Sequence, residues 1–229
     1  DSTSGQVNIE PQVQKAVQAF VKKPVQNPVG KEWIKKALAA KSSMNEAEQS
    51  QYEIFCDMDG VLCDFEKQFE KLTNTTPKEF EASNGTKEFW NVILQEGEKF
   101  WSTMDTMPEF DYFKKEVNSI TTDGRFNLKF LTSTSAGQIL RNYPRQEAID
   151  YIKNIEFGKR SWLRTHWTGP VSIIFSDSGK SKAKHATANS ILIDDLSPNV
   201  EAFIAAGGNG IIFTDAHQAI DELKAKIKI

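Results

Sequence analysis

The sequence predicts an α/β fold built around a doubly wound parallel sheet. Short, continuous apolar runs mark five strands, and segments with a helical spacing of apolar residues lie between them. The predicted strands are residues 52–57, 126–131, 171–175, 190–194 and 210–213. The predicted helices are residues 145–156, 158–167, 181–187, 198–206 and 215–227. Strands and helices that alternate in this way form a parallel sheet that is covered on both faces.

The connection between the first and second predicted strands is too long to be a simple crossover. Its aromatic residues recur at helix-like spacings, so we expect a small helical insertion. These residues are Phe65, Phe69, Phe80, Phe89, Trp90, Phe100 and Trp101. The sequence therefore predicts a core domain of residues 51–64 and 126–229, interrupted by a helical cap insertion of residues 65–125.

An N-terminal helical arm is predicted for residues 1–50. Two short segments, around Val17 and around Ile34, place apolar residues three and four positions apart, and each favours a helix with one apolar face. Pro24 and Pro28 separate the two segments. Helices this short are marginal alone. We therefore expect the arm to pack either on its own domain or on a protein partner within a larger assembly.

The composition argues against two classes of protein. The net charge is −3, which gives no basic footprint for direct binding of duplex nucleic acid. No apolar run approaches the ~20 residues that span a bilayer, so we expect no membrane association. The two cysteines, Cys56 and Cys63, favour free thiols over a disulfide framework. Free thiols are typical of a reducing compartment such as the cytoplasm.

Acidic and hydroxyl side chains follow three of the predicted strands. They are Asp57 and Asp59 after the first strand, Thr132 and Ser133 at the second, and Asp194 and Asp195 at the fourth. The carboxyl ends of parallel strands meet at one edge of the sheet, where ligands bind in such folds. Carboxylates brought together away from water need a counter-charge. Oxygen-only ligands with open positions suit Mg²⁺, so the sequence predicts a magnesium site at this edge.

Four motifs carry a resemblance to a known superfamily. The segments are DMDGVLCD (57–64), FLTS (130–133), a lysine within GKSKAKHA (179–186), and ILIDD (191–195). In this order they resemble the four motifs of the haloacid dehalogenase (HAD) superfamily. The resemblance implies a Rossmann-like core with a C1 cap at residues 65–125, and phosphatase chemistry that depends on Mg²⁺.

A closer resemblance is to the 5′(3′)-deoxyribonucleotidases of that superfamily. The first motif is similar to theirs through Phe65, and GKRSWLRTHWTG (158–169) is similar to the segment that follows their second motif. This resemblance implies a phosphomonoesterase that acts on (deoxy)nucleoside monophosphates. Two alternatives stay open: a HAD phosphatase for another small phosphate ester, and a component of a larger assembly docked through residues 1–50.

The resemblance also implies roles for the acidic residues. Asp57 is the nucleophile, which forms an aspartyl-phosphate, and it is also a metal ligand. Asp59 protonates the leaving alcohol, activates the attacking water, and binds the metal through its backbone carbonyl. Asp195 is the direct metal ligand of the fourth motif, and Asp194 orients either the metal site or the lysine.

Further roles concern the phosphate and its counter-charge. Thr132 and Ser133 are expected to hold phosphate oxygens. Lys182 is our choice for the lysine of the third motif, where it offsets the charge of nucleophile and phosphate. Lys180 and Lys184 are its rivals for that role.

The sequence leaves two possible roles open for several other residues. Asp64 is either an N-cap of the following helix or a participant in the site. Phe65 either stacks on a nucleobase or belongs to the core. Phe100 and Trp101 are expected in the core rather than in the pocket. Lys159 is expected at the surface, with contact to the phosphate as the alternative.

Overall fold

Five parallel strands form one sheet in the computed structural model, which describes residues 52–122 and 124–228. They are β1 (Tyr52–Cys56), β2 (Phe126–Ser133), β3 (Ile173–Ser176), β4 (Ser190–Asp194) and β5 (Asn209–Ile212). The strand order is β3-β2-β1-β4-β5. The first strand is therefore central, and the chain winds outward from it in both directions. This arrangement confirms the predicted α/β fold with a doubly wound sheet.

Eight α-helices and one 3₁₀ helix connect and flank the strands within the described part of the chain. Four helices follow β1: α1 (Phe65–Thr73), α2 (Pro77–Gln95), α3 (Glu98–Ser102) and α4 (Phe110–Thr121). The others are α5 (Ala136–Asn142), α6 (Arg145–His166), the 3₁₀ helix (Lys180–His185), α7 (Ser197–Ala205) and α8 (Ala216–Ile227). The predicted arm, residues 1–50, lies outside the described residues.

Two predicted helices, 145–156 and 158–167, are in fact the single long helix α6. Gly158 does not end the helix, because its role lies in packing rather than in backbone conformation. A Cβ atom at this position would lie 2.5 Å from Cβ of Trp101 and 2.6 Å from the carbonyl oxygen of Glu98. The glycine thus lets α6 and α3 approach closely. The helix predicted at 181–187 is also corrected, since it is the shorter 3₁₀ helix.

The two faces of the sheet are covered unequally. Residues of alternate parity along the strands, such as Ile54, Phe130 and Ile193, join the larger apolar cluster with side chains of α4, α6 and α8. The residues between them, such as Phe55 and Leu131, form a small cluster on the other face beneath α7. This alternation follows from the period of two along a strand.

The long insertion after β1 is helical, as its aromatic spacing predicts. Helix α1 packs on α2, helix α3 packs on α6, and helix α4 packs on both β2 and α8. Helix α1 begins at Phe65 because the side chain of Asp64 accepts a hydrogen bond from the backbone N–H of Lys67 at 2.9 Å. Asp64 is therefore an N-cap. Phe100 and Trp101 are buried in the core, as expected.

No helix of the described chain is long and apolar enough to cross a membrane.

Candidate active site

Asp57 directly follows the central strand and is almost completely buried. Its backbone N–H donates to the carbonyl of Ile193 on the neighbouring strand at 2.9 Å. One carboxylate oxygen, Oδ1, accepts from the backbone N–H of Met58 at 2.8 Å. The other oxygen, Oδ2, lies 2.7 Å from Nζ of Lys182. The sheet and the loop together fix this carboxylate at the carboxyl edge.

Lys182 is the lysine of the 179–186 segment that reaches this carboxylate. It is fully buried, whereas Lys180 and Lys184 are exposed. Its Nζ contacts Asp57 at 2.7 Å and Asp194 at 2.5 Å. Burial alone would lower the pKa of Lys182, but the negative charges of Asp57 and Asp194 outweigh it and raise the pKa above its ordinary value. The ammonium group therefore stays charged at neutral pH.

The two neighbouring acids at the end of β4 have different surroundings. Asp194 is fully buried and saturated with donors: Oδ2 accepts from Lys182, and Oδ1 accepts from the backbone N–H of Leu196 at 3.0 Å and from Asn199 at 2.9 Å. Both oxygens of Asp194 are therefore occupied by hydrogen bonds within the protein. Burial, followed by the negative charges of Asp57 and Asp194, raises the pKa of Asp195 to about 7.

The loop after Asp57 passes directly over Asp195. Gly60 has a φ of +76°, a left-handed conformation that glycine adopts without steric cost. A Cβ atom at this position would also lie only 2.6 Å from Cγ of Asp195. Glycine is thus required here for two reasons, conformation and space, and it brings the loop against Asp195, which directly follows β4.

Lys159 is buried beside Asp59, which corrects the expectation that it lies at the surface. Its Nζ donates to Asp59 Oδ2 at 2.6 Å, to Thr132 Oγ1 at 2.7 Å and to the carbonyl of Ser133 at 2.9 Å. The same ammonium lies 4.9 Å from the ring centroid of Trp101, within the range of a cation–π contact. All three protons of the ammonium group have acceptors, which explains how a lysine can be fully buried.

The two hydroxyl residues of β2 lie next to this ammonium group. Thr132 is fully buried, and its carbonyl oxygen accepts from the hydroxyl of Ser176 at 3.3 Å. The hydroxyl of Ser133 accepts from the backbone N–H of Ser135 at 3.0 Å. Ser135 itself has a φ of +54°. The chain turns sharply after β2, so these hydroxyl groups stay at the edge that carries Asp57.

Asp59 has a second neighbour, the thiol of Cys63. The Sγ atom of Cys63 donates to Asp59 Oδ1 at 3.6 Å. Burial, followed by the negative charge of Asp59, raises the pKa of the Cys63 thiol well above its ordinary value. The thiol therefore stays protonated and acts as a donor to the carboxylate. Both cysteines, Cys56 and Cys63, are free and buried.

Phe65 begins helix α1 within the aromatic cluster of the insertion. Its ring centroid lies 5.5 Å from that of Phe100, 6.0 Å from that of Trp101, and 6.4 Å from those of Phe69 and Phe89. The side chain is only partly buried, because it packs against the core from its margin. Phe65 is thus part of the packing of the insertion and also retains an accessible surface.

The charges at this edge fit a divalent cation. Oxygen atoms of Asp57, Asp194 and Asp195 all lie within 4.8 Å of one another. Together with Asp59 they make four carboxylates, which face the two buried ammonium groups of Lys159 and Lys182. With all four carboxylates ionised and both ammonium groups charged, two negative charges are left over, and the +2 charge of one Mg²⁺ would balance them. The pKa of Asp195 is raised first by burial and then by the negative charges of Asp57 and Asp194, and a cation at this edge would offset those charges.

The sequence pattern of α6 did not reveal the burial of Lys159. Its neighbour Phe157 is apolar yet 60% exposed, while the charged Lys159 is fully buried, so the usual polarity of the helix is reversed at this point. A usable signal was the spacing to Trp162. Residues three apart share one face of a helix, and Trp162 is fully buried. A lysine on the face of a buried tryptophan is placed inward.

The described residues form a doubly wound sheet with an acid–lysine cluster at its carboxyl edge, in agreement with the resemblance of the four motifs to the HAD superfamily. The model of one family, described as "5′ nucleotidase, deoxy (Pyrimidine), cytosolic type C protein", matches residues 51–226. The chain belongs to this family and is a phosphatase, a hydrolase of phosphoric monoesters of the 5′-nucleotidase type.

Similar solved structures are distant in sequence. A hydrolase from Streptococcus pneumoniae TIGR4 is 13% identical, with a TM-score of 0.39, and the match covers 79% of this chain and 100% of that one. A D,D-heptose 1,7-bisphosphate phosphatase from Burkholderia thailandensis is also 13% identical, with a TM-score of 0.39 and coverage of 75% and 98%. These likenesses are too distant to bear on activity. Among curated proteins, no match is found.

Proposed function

We propose that the protein hydrolyses (deoxy)nucleoside monophosphates through an aspartyl-phosphate on Asp57, with Mg²⁺ as its cofactor. The observation that carries the proposal is the contact of Asp57 with Lys182 at 2.7 Å, with carboxylate oxygens of Asp57 and Asp195 within 4.8 Å of each other. A buried nucleophile with a lysine on one side and a cation-binding acid on the other is suited to attack on an anionic phosphate.

The first step forms a bond between a carboxylate oxygen of Asp57 and phosphorus, and it breaks the bond from phosphorus to the ester oxygen. Asp59, which must be protonated when the substrate reacts, gives its proton to the departing alkoxide, so the alcohol leaves neutral. In the second step Asp59 takes a proton from water, which attacks the aspartyl-phosphate. Inorganic phosphate leaves, and the Asp57 carboxylate is restored.

The cationic and hydroxyl groups hold the phosphate during both steps. Lys182 offsets the negative charge of Asp57 and the phosphoryl group. Thr132 and the neighbouring backbone N–H groups donate to phosphate oxygens. Lys159 already donates to Thr132 and Asp59, so we place it at the phosphate as well.

The cation would be held by carboxylate oxygens of Asp57 and Asp195 and by the backbone carbonyl of Asp59. Asp194 contributes indirectly, because its oxygens are engaged by Lys182, Leu196 and Asn199. When bound, Mg²⁺ supplies the positive charge that lets an anionic carboxylate meet an anionic phosphate.

The nucleotide class of substrate rests on the family and on the insertion. Family membership favours a deoxynucleotide, and the accessible margin of Phe65 offers a surface on which a base can stack. The four aromatic contacts of Phe65 favour a second candidate, a phosphatase for a small ester without a base, in which Phe65 serves only as packing.

A substrate panel separates these two candidates. The panel contains deoxynucleoside 5′-monophosphates, ribonucleoside 5′-monophosphates and ribose 5-phosphate. Each substrate is assayed once with Mg²⁺ and once without it, and a chelator is added only to the assay without Mg²⁺. The nucleotidase proposal expects hydrolysis of nucleotides that needs Mg²⁺ and a clearly lower kcat/KM for ribose 5-phosphate, which lacks the base. Equal kcat/KM values with and without a base would favour the small-ester phosphatase.

Two wider proposals accompany this one. The free, buried state of Cys56 and Cys63 supports a reducing compartment such as the cytoplasm. Residues 1–50 are proposed to dock a protein partner, because the two helices predicted for this segment are too short to be stable alone. Native mass measurement of the full chain, with and without a candidate partner, tests the docking.

A further inference from the structure

Asn199 holds one side of the Asp194 carboxylate. It is buried in the first turn of α7. Its Nδ2 donates to Asp194 Oδ1 at 2.9 Å, and the backbone N–H of Leu196 donates to the same oxygen at 3.0 Å. The opposite oxygen, Oδ2, accepts from Lys182 at 2.5 Å. The orientation of this carboxylate, and with it the position of the Lys182 ammonium, therefore depends on the two donors at Oδ1.

Gly179 makes room for the Asn199 side chain. Its backbone has a φ of −55° and a ψ of −49°, an ordinary helical conformation, so glycine is not needed here for its backbone freedom. A Cβ atom would lie 2.6 Å from Nδ2 and 2.7 Å from Cγ of Asn199. Gly179 also begins the 3₁₀ helix that carries Lys182, whose N–H donates to the Gly179 carbonyl at 3.1 Å. Asn199 thus lies between the start of that helix and the acid that its lysine contacts.

We propose that Asn199 and Gly179 are positioning residues for the phosphatase reaction. Asn199 fixes the Asp194 carboxylate, this carboxylate fixes the Lys182 ammonium, and the ammonium is thereby held 2.7 Å from the nucleophile Asp57. Gly179 provides the space without which Asn199 cannot take its place. The inference deepens the proposed function and rests on it.

The physical reason lies in how tightly the lysine is confined. Lys182 is fully buried, and its ammonium contacts two carboxylates. If the Asn199 amide is removed, Asp194 Oδ1 keeps only the Leu196 N–H and the carboxylate can rotate. The ammonium follows that carboxylate. A misplacement of about 1 Å at a catalytic group can cost about a hundredfold in rate.

The test compares Asn199→Ala and Gly179→Ala with two matched controls. Asn209→Ala removes an asparagine whose Nδ2 donates only to the carbonyls of Ala188 and Ser190, away from the site. Gly137→Ala adds a Cβ to another helical glycine, where its nearest neighbour would be an Arg141 side-chain atom at 3.8 Å. Both site variants are expected to lower kcat about tenfold or more with KM within about threefold. Both controls should keep kcat within about twofold of wild type.

A double-mutant cycle with Lys182→Ala distinguishes positioning from simple loss of stability. If Asn199 acts through Lys182, then adding Asn199→Ala to Lys182→Ala lowers kcat by less than about twofold. A further tenfold loss in the double variant would overturn the inference. So would an Asn199→Ala protein that is folded by its melting curve and retains wild-type kcat.

Thermal unfolding is also measured for the four proteins of the cycle, which are the wild type, the two single variants and the double variant. Non-additive changes in the free energy of unfolding are expected, because the two side chains contact the same carboxylate. This readout does not need activity. A wild-type protein that hydrolyses no phosphomonoester would contradict the proposed function alone, and additive melting changes would then overturn the coupling of Asn199 to Lys182.

Discussion

Nζ of Lys159 lies 2.6 Å from Oδ2 of Asp59, although the two residues are 100 positions apart in the chain. The same ammonium donates to Thr132 at 2.7 Å. A single cation therefore joins the proposed acid–base residue to the proposed phosphate-binding hydroxyl. Lys159 of helix α6 thus connects the loop after the central strand with the neighbouring strand β2.

Replacing Lys159 by methionine is expected to lower kcat/KM about a hundredfold. Hydrogen bonds to a charged group contribute about 1.5–3 kcal/mol each, and a loss of about 2.7 kcal/mol is a hundredfold in rate. Lys153→Met is the matched control, because Lys153 lies on the same helix and is exposed in a long pair with Asp150. Steady-state kinetics on one phosphomonoester measure the effect. A Lys159→Met protein as active as Lys153→Met would show that the buried ammonium serves only the fold.

Asp57→Asn should abolish turnover while the fold is kept. The change removes the attacking charge and one ligand of the cation but preserves the shape of the side chain. Loss of a nucleophile normally costs several powers of ten in rate. If the variant kept more than about a hundredth of the wild-type kcat, Asp57 would not be the nucleophile. Melting curves confirm that the variant is folded.

Phe65→Ala separates the two substrate classes. Stacking of a base on an aromatic ring contributes about 1–3 kcal/mol. If Phe65 stacks on the base, KM for a deoxynucleoside monophosphate should rise roughly ten- to a hundredfold. Hydrolysis of a small ester without a base should hardly change.

The control for Phe65→Ala is the stability of the variant. Loss of a core phenylalanine costs about 3–5 kcal/mol, and Phe65 contacts four aromatic rings. Both substrates are therefore assayed well below the melting temperature. Equal losses on both substrates would leave Phe65 as packing alone.

Asp195→Asn should make the cation-free protein more stable above pH 7. The pKa of Asp195 is about 7 in the folded protein and 3.8 ordinarily, so the folded state holds this proton more tightly than the unfolded chain. Its contribution to stability is present at low pH and is lost as the pH rises through about 7. The asparagine variant lacks this loss.

Melting at pH 6 and pH 8, with and without Mg²⁺, measures this contribution. Mg²⁺ should raise the melting temperature of the wild type more at pH 8, because the cation needs the ionised carboxylate. The variant should respond weakly at either pH. A variant that lost as much stability between the two pH values as the wild type would contradict the assignment to Asp195.

Deletion of residues 1–50 should leave activity on a small phosphate ester near the wild-type value. The reason is that every motif of the proposed site lies beyond residue 53. Kinetics and melting of the shortened chain, next to the full chain, test this expectation. A collapse of folding or activity would mean that the segment belongs to the core and not to a docking device.

The fold could be predicted because its strands are covered on both faces. Such strands read as continuous apolar runs, and β4 occupies residues 190–194 as its run predicts. The apolar run predicts that β2 ends at residue 131, whereas the strand continues to Ser133. Thr132 and Ser133 are polar, so the apolar pattern ends before the hydrogen-bonded ladder does. Functional residues at a strand end thus obscure the end of the strand.

The site could be predicted only in part, because the sequence reveals charged groups but not their partners. The acids could be identified because they interrupt apolar runs at the ends of strands. Lys159 did not, since burial of a lysine depends on acceptors from Asp59, Thr132 and Ser133, which distant segments provide. Asn199 is hidden for the same reason, because its contact with Asp194 resembles an ordinary polar position in the first turn of a helix.

Helix α6 carries two neighbouring residues with very different contacts. A Cβ atom added at Gly158 would meet Trp101 and Glu98 of helix α3, so the two helices are in close contact there, and Lys159 beside it donates to Asp59. A displacement of α3 along α6 would therefore act one residue away from Lys159, which donates to the proposed acid–base residue Asp59. The packing of the inserted helices and the position of Asp59 are thus tied to adjacent residues of one helix.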